Sequence, residues 1–280
     1  MIYFYRLLIR GNIYISLYIL INTMISKAHI VYYKPKSRQE HHALSTVYSV
    51  LNEYGIKHTS VERNLFHHLQ KDVDLVIVVG GDGTFLRASH VIGKTPVLGV
   101  NSYSNMKEGY LMQCTSKDFK QKFVKILDHM RVIPLLRLEV SINGKKLYPS
   151  LNDIFVGHQL PYKLSRFDLT VNNKKEHHKC SGLIASTPAG STAWTVGANG
   201  KILPFASGSW QYVVREQYQG RLHKHKLSKG VLGKKAVIKV NILNPNYLLS
   251  IDSLNDFKLS RGDVVTIKPS KVRLNYVDVR

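Results

Sequence analysis

Asp74-Leu75-Val76-Ile77-Val78-Val79-Gly80-Gly81-Asp82-Gly83-Thr84 is the stretch on which the fold turns. The run before the glycines is apolar at every position after Asp74 and rich in β-branched residues. That pattern fits a strand buried on both faces, as parallel strands of α/β domains are. Phe85 to His90 then reads as a helix. In an open α/β sheet, ligands bind beyond the carboxyl ends of the strands. Glycines let the backbone turn sharply and approach a phosphate, and the N–H groups of the following helix start can hold an anion. An acid in such a turn repels phosphate unless it has a task, such as holding a divalent cation or accepting a hydroxyl proton. The structural alternative is a tight turn with Asp82 as helix cap, and this segment alone leaves both readings open.

Outward from this stretch, strand and helix alternate. Ile30 to Tyr33 is a strand stopped by Pro35, and Leu44, Val47, Tyr48 and Leu51 recur at helical spacing until Gly55 closes the helix. Pro96 to Val100 reads as another strand, and Asp118 to Met130 as a helix with Phe119, Phe123, Ile126 and Leu127 on its inner face. The expected architecture is an α/β N-terminal domain with a doubly wound, largely parallel sheet. Past about residue 131 the pattern becomes mainly β. Leu138 to Ile142 alternates into Asn143-Gly144, a strong hairpin signal, before Lys146 to Tyr148. Phe167 to Val171 runs into Asn172-Asn173, and later strands are expected at Ala236 to Ile242, Tyr247 to Ile251, Val264 to Ile267 and Val272 to Tyr276. The organisation read this way is an apolar extension over residues 1–23, an α/β domain over 24–130 and a mainly β domain over 131–280, whose last strands are free to return to the first domain.

The 280 residues are 44% hydrophobic and 21% charged, an ordinary globular composition long enough to bury a sizeable core. Cys114 and Cys180, 66 positions apart, exclude a CxxC zinc site and offer no disulfide framework, so a reducing, cytoplasmic setting is expected. Forty Lys plus Arg against eighteen Asp plus Glu leave a net charge of +22, a field that draws polyanions. The basic residues are scattered, which suits either a solvated surface or a cleft that attracts polyphosphate. The absence of an aromatic-basic RNA motif and of a helix-turn-helix pattern argues against a specific nucleic-acid partner. The histidine pairs His41-His42, His67-His68 and His177-His178 read as surface residues, because adjacent side chains diverge and no cysteine cluster accompanies them. These pairs are therefore not read as metal ligands, and no protein side chain is assigned to a metal. At the amino end, Arg6 and Arg10 precede the apolar run Ile13 to Ile21, too short for a membrane-spanning helix and lacking a signal-peptide cleavage site. Met24 opens a more natural beginning, so a start-site extension stands beside an anchor or an extra packed element.

Gly80 to Thr84 resembles the GGDGT motif of a superfamily that includes NAD kinases, lipid kinases and phosphofructokinases. Ser181-Gly182-Leu183-Ile184-Ala185-Ser186-Thr187-Pro188-Ala189-Gly190-Ser191-Thr192-Ala193-Trp194 is similar to a block found in the NAD kinases. Asn152-Asp153 resembles that family's Asn-Glu pair. Gly99-Val100-Asn101 with Glu108 to Leu111, and Ile251-Asp252 with Arg261 to Val265, look like further family strands and loops. The resemblance covers nearly everything from Ile30 onward. Ser181 in place of an aspartate, the longer loop from Ser102 to Lys107 and the Ala193-Trp194 ending look more like the divergent branch that includes animal mitochondrial NAD kinases.

The resemblance implies phosphoryl transfer from ATP or inorganic polyphosphate to the adenosine ribose of NAD, with Mg2+ or another divalent cation. It also implies a homodimer or homotetramer. Asp82 matches the catalytic aspartate, and Gly81, Gly83 and Thr84 would frame phosphates. Asn101, Asn152 and Asp153 would contact the nucleotide, and Ser181 its nicotinamide side. Thr187, Ala189, Thr192, Ala193 and Trp194 would line the same site. Arg215, Arg221 and Lys224 are candidate contacts for donor phosphates, with solvated surface as the alternative for each. Asp153 is one methylene shorter than the family's glutamate. Three further functions compete: a catalytically degenerate NAD sensor, which Ser181 and Asp153 favour and Asp82 opposes; a lipid kinase, which the second motif opposes; and a nucleic-acid-binding module, which rests on charge alone.

Overall fold

The computed structural model describes residues 2–9, 12–21, 25–220 and 225–279. Two compact units divide the chain, Met1–Leu135 with Val272–Arg280, and Leu136–Lys271. In order come β1 (Ile2–Ile9), β2 (Asn12–Ile21), β3 (Lys27–Tyr32), α1 (Arg38–Glu53), β4 (Lys57–Glu62), β5 (Leu75–Gly80), α2 (Asp82–Ser89), β6 (Val97–Asn101), β7 (Cys114–Thr115), α3 (Phe119–Asp128) and β8 (Met130–Leu135). The second unit continues with β9 (Leu138–Ile142), β10 (Lys145–Lys146), β11 (Asp153–His158), β12 (Ser165–Val171), β13 (Lys174–Cys180), β14 (Gly182–Ser186) and a 3₁₀ turn at Ala189–Thr192. It closes with α4 (Trp194–Gly197), β15 (Trp210–Arg215), β16 (Lys229–Leu232), β17 (Ile238–Ile242), β18 (Tyr247–Ile251), β19 (Asn255–Leu259) and β20 (Val264–Pro269), after which β21 (Leu274–Asp278) returns to the first unit.

The first unit is one sheet in the order β1-β2-β8-β21-β6-β5-β3-β4, with β7 beside β6. Strands β21, β6, β5, β3 and β4 run parallel, whereas β8, β2 and β1 join antiparallel. Every residue of β5 is buried, as its unbroken apolar run requires. One face packs Ile30, Ile77 and Val100 with Val47 and Leu51 of α1 and Phe119 and Phe123 of α3. A capping box starts α1: the amide of Glu40 donates to the Ser37 hydroxyl while the Glu40 carboxylate accepts from the Ser37 amide. The boundary expected at 130/131 falls inside β8, which the internal Pro134 disguised. The apolar run from Ile13 to Ile21 lies in β2 and pairs Ile19 with Val132. No helix among the described residues is long and apolar enough to cross a membrane.

The second unit has two six-stranded sheets, β10-β9-β20-β17-β12-β13 and β16-β15-β14-β11-β18-β19. Phe167, Leu169, Val240 and Ile267 of the first meet Ile154, Val156, Leu183 and Leu249 of the second in a shared core. Asn143 and Gly144 have φ of 49° and 83°, and Asn172 and Asn173 of 46° and 70°, the left-handed pairs that two-residue hairpins need. The expectation of surface histidines fails for His178, which is fully buried; burial lowers its pKa to about 4. Alternation along β13 explains this: His177 faces solvent and His178 faces inward.

One carboxylate ties the edges of β3 and β5 together. Asp74 Oδ2 accepts the amides of Ser26 and Lys27 and the Ser26 hydroxyl, each at 2.9 Å. Burial opposes its charge, yet these three donors hold its pKa below the ordinary value. A depressed carboxylate stabilises the fold above its unfolded pKa, and this contribution fades as pH falls through the folded value. Asp74→Ala is expected to cost about 1–3 kcal/mol at neutral pH. Urea unfolding should show that difference shrinking as pH drops below about 4; a pH-independent difference would assign the loss to packing.

Candidate active site

The turn after β5 is tight by necessity. A Cβ on Gly80 would stand 2.6 Å from Thr84 Oγ1, and one on Gly81 2.9 Å from Lys107 Cδ. Gly81 is the N-cap of α2 and supplies no side-chain cap. Asp82 does not act as a cap for its own helix. Its carboxylate reaches a different loop, accepting the Leu111 amide at 2.8 Å on Oδ1 and the Tyr110 amide at 3.1 Å on Oδ2. The helix-cap alternative therefore gives way, and both oxygens retain lone pairs for a further partner.

The loop that holds Asp82 is itself braced. Asn101, expected on the nucleotide, is buried and uses both polar ends locally: Nδ2 donates to the Lys107 carbonyl and Oδ1 accepts the Tyr103 amide, each at 3.0 Å. Gly109 (φ +66°) is required there, because a Cβ would come within 2.4 Å of Asn101 Nδ2. A Cβ on Gly99 would stand 2.7 Å from the Leu111 carbonyl, so the strand beside the loop also needs glycine.

In front of the turn is a cleft of about 500 Å3, lined by Tyr33, Arg63, Lys107 and Glu108 with residues 81–84. Arg63 lies over the Tyr33 ring at 4.4 Å and donates from Nη1 to Thr84 Oγ1 at 3.3 Å. Its Nε is buried without a hydrogen-bond partner. Lys107 pairs with the buried Glu40 at 2.7 Å and also approaches the Tyr33 ring. Burial works against the Glu40 charge, but Lys107, the Lys36 amide and Ser37 hold its pKa below the usual carboxylate range. Two cations, two carboxylates and a helix N-terminus thus meet in one cleft. Arg63, Lys107, Tyr33 and Glu40 escaped the sequence reading, because isolated charges among forty basic residues carry no local signal.

In the second unit the organising carboxylate is Asp252. It accepts the Ser150 hydroxyl at 2.6 Å and the amides of Leu151, Asn152 and Asp153 at 2.9, 2.9 and 3.0 Å. This clasp sets the turn that presents Asn152 and Asp153. Gly190 of the 3₁₀ turn crosses the same turn so closely that a Cβ would stand 2.2 Å from the Asn152 carbonyl oxygen. Burial first, and the neighbouring Asp252 second, raise the Asp153 pKa to about 7. Asp252 appeared in the sequence only as part of a matched strand, since a single Asp does not reveal four donors converging on it.

Of the other expected residues, Thr187 and Ala189 are buried. The Thr187 hydroxyl donates to the Leu151 carbonyl and accepts the Gly190 amide, so Thr187 positions the turn. Thr192 and Ser181 are partly exposed, Ala193 exposed. Trp194, 37% exposed, packs against Phe155 at 5.0 Å, with the Arg215 guanidinium 5.0 Å from its ring. Arg215 also pairs with Glu216. Arg221 and Lys224 lie outside the described residues.

Residues 17–130 match the family described as ATP-NAD kinase N-terminal domain, and residues 151–205 the ATP-NAD kinase C-terminal domain. A probable NADH kinase of Oryza sativa is 37% identical over 214 residues, 68% of this chain and 66% of that protein. An NAD kinase of Acinetobacter baylyi is 32% identical over 232 residues, 79% of this chain and 72% of its own. Among solved structures, an Archaeoglobus fulgidus NAD kinase in complex with ATP superposes with a TM-score of 0.72 at 19% identity, covering 91% of this chain and 94% of its own. A yeast NADH kinase complexed with NADH superposes with a TM-score of 0.76 at 17% identity, covering 94% and 86%.

The raised Asp153 pKa has a measurable sign. Between about pH 4 and 7 the folded chain holds a proton on this carboxyl that the unfolded chain has released, so stability falls across that window as pH rises. Asp153→Asn cannot ionise, and its stability relative to wild type should grow from pH 5 to pH 8. Parallel denaturation midpoints for the two proteins across this range would show that burial does not perturb Asp153.

Proposed function

Because the chain belongs to the ATP-NAD kinase family, we propose that it transfers the terminal phosphoryl group of a polyphosphate donor to the 2′-hydroxyl of the adenosine ribose of NAD, making NADP. The observation that carries this reading is the Asp82 carboxylate, oriented by two backbone amides at a cleft that also holds Arg63 and Lys107. Asp82 accepts the proton of the attacking hydroxyl. As the new oxygen–phosphorus bond forms, the bond to the donor's bridging oxygen breaks, and the shortened donor leaves with those electrons. Little covalent work falls to the protein in such a transfer, so positioning and charge supply most of the rate. Arg63 lines the cleft and offers a planar fork for phosphate oxygens. The amides at the start of α2 add further donors.

Magnesium binds through one or two carboxylates together with substrate phosphates, and Glu108 is the cleft carboxylate that the proton-accepting role of Asp82 leaves for it, beside the donor's own phosphate oxygens. That donor set fits the ion, which would neutralise charge on the transferred group. In the second unit, Asn152 and Asp153 suit the adenine and ribose, since an ionised carboxylate accepts both hydrogens of a diol. The Phe155–Trp194 pair supplies an aromatic wall. ATP is the donor this reading favours; inorganic polyphosphate presents the same row of oxygens to Arg63 and Lys107, so both belong in the assay.

Asp82→Asn keeps the shape and removes the proton acceptor. Turnover to NADP should fall by about 10² to 10⁴, while calorimetric NAD affinity changes far less. A variant turning over within a few-fold of wild type would remove Asp82 from the chemistry, and a wild type that binds NAD yet makes no NADP with either donor would make the protein a sensor. Arg63→Ala should raise the KM for the donor roughly tenfold to a hundredfold, the worth of a charged hydrogen bond. The KM for NAD should move little, and the reverse pattern would place Arg63 on the dinucleotide.

A further inference from the structure

Glu176, His178 and His225 form a cluster in the second unit for which phosphoryl transfer has no use. Residues two apart on a strand share a face, so Glu176 and His178 of β13 project together, while His177 turns away to Asp168. His225 comes from the segment preceding β16. Its Nδ1 stands 3.2 Å from Glu176 Oε1, and the same oxygen stands 3.2 Å from His178 Nε2. The two imidazoles stack with centroids 5.1 Å apart, and one ligand atom from each of the three residues falls within 4.8 Å of the others.

An ion pair alone leaves this cluster unfinished. His178 has no exposed surface, yet its Nε2, aimed at Glu176, makes no hydrogen bond. Buried polar atoms in that condition are rare and call for a partner. On the far side of the ring, Gln217 Nε2 stands 2.9 Å from Nδ1, and Gln217 Oε1 accepts the Ser228 hydroxyl at 2.7 Å. The oxygen and nitrogen of a glutamine amide are assigned from such networks. Turning that amide over by 180° keeps both contacts and exchanges its atoms: Nδ1–H then donates to the Gln217 oxygen, the amide nitrogen donates to the Ser228 hydroxyl, and Nε2 presents a free lone pair to an ion. Metal-binding histidines are held in this way by a hydrogen bond on the opposite nitrogen.

We propose that Glu176, His178 and His225 bind a divalent transition-metal ion of the Zn2+ class, with water as the fourth ligand. Nitrogen and oxygen ligands at tetrahedral zinc stand about 3.3 Å from one another, given bond lengths near 2.0–2.2 Å; the two separations at Glu176 Oε1 are 3.2 Å, and the two histidine nitrogens, within 4.8 Å of each other, would close as the stacked rings turn onto the ion. Two imidazoles with one carboxylate select zinc over magnesium or calcium, which take oxygen ligands. The carboxylate is already oriented: Oε2 accepts the Lys226 amide at 2.8 Å, while Oε1 would exchange its contacts with His225 Nδ1 at 3.2 Å and the Leu227 amide at 3.3 Å for the ion. The ion would tie residues 225–227 to the β12–β13 hairpin and take no part in phosphoryl transfer.

The test uses the full chain, stripped with EDTA and titrated with Co2+ and then Zn2+. One Co2+ per chain should bind with the visible absorption of a tetrahedral site, yield to Zn2+ and resist a large excess of Mg2+. Zinc should raise the melting temperature by several degrees. Glu176→Gln and His225→Asn should each weaken binding at least tenfold, and Gln217→Leu by roughly ten- to a hundredfold, with Asp82→Asn without effect. Those two ligand positions retain some solvent contact, so metal-free variants that match wild type by circular dichroism report on binding alone. Absence of both the absorption and the melting shift in folded wild type overturns the proposal. So does binding that survives both ligand variants, or that Asp82→Asn abolishes.

Discussion

A strand buried on both faces has to end somewhere, and the end of β5 governs the first unit. Leu75 to Val79 cannot meet water, so the chain leaves the sheet in a turn at Gly80, where a Cβ would collide with Thr84 of the helix that follows. That turn starts α2 and puts Asp82 at the helix N-terminus. The neighbouring parallel strand β6 ends in register, Gly80 opposite Asn101, and delivers the loop that clasps the Asp82 carboxylate. The site is thus a consequence of how two adjacent buried strands terminate together.

Three carboxylates show how surroundings divide labour among chemically similar groups. Asp82 and Asp252 both receive backbone amides, but Asp252 takes three amides and a hydroxyl and is consumed in shaping the 150–153 turn. Asp82 takes two amides and faces an open cleft, so capacity remains for a substrate hydroxyl. Asp153, next to Asp252 and buried, is pushed towards neutrality. A diol or a cation that supplies new donors to Asp153 would offset the burial and favour its ionised form.

The net charge of +22 acquires meaning only where structure gathers it. Lys36, Arg63 and Lys107 all lie within 6 Å of the Tyr33 ring centre, drawn from three separate parts of the chain. Glu40 balances Lys107 from the buried side. Local concentration of this kind raises the occupancy of a polyanion far more than the same charges spread over a surface. In the second unit the same chain brings a Glu and two His together around one carboxylate oxygen, with a backbone amide holding the other.

The sequence by itself determined the elements whose signal is local. The apolar run of β5, the helical spacing in α1 and α3, the Asn143-Gly144 and Asn172-Asn173 turns and the glycine turn carrying Asp82 are all there in the order of residues. The motifs around Asn152, Asp153 and Ser181 to Trp194 likewise sufficed to indicate the family. Tertiary structure alone decided what depends on meeting across sequence distance. It placed Arg63 and Lys107 beside Thr84 and Gly81, and it joined Glu176, His178 and His225. It also gave Asn101 a bracing role in the loop that holds Asp82, and it buried His178 while its neighbour stayed exposed. Strand β8 kept its place despite Pro134 because β21 pairs with it from the far end of the chain. The physical reason is common to all of these: a side chain's partner, exposure and ionisation are set by what packs against it, and sequence spacing reports packing only within one helix, strand or turn.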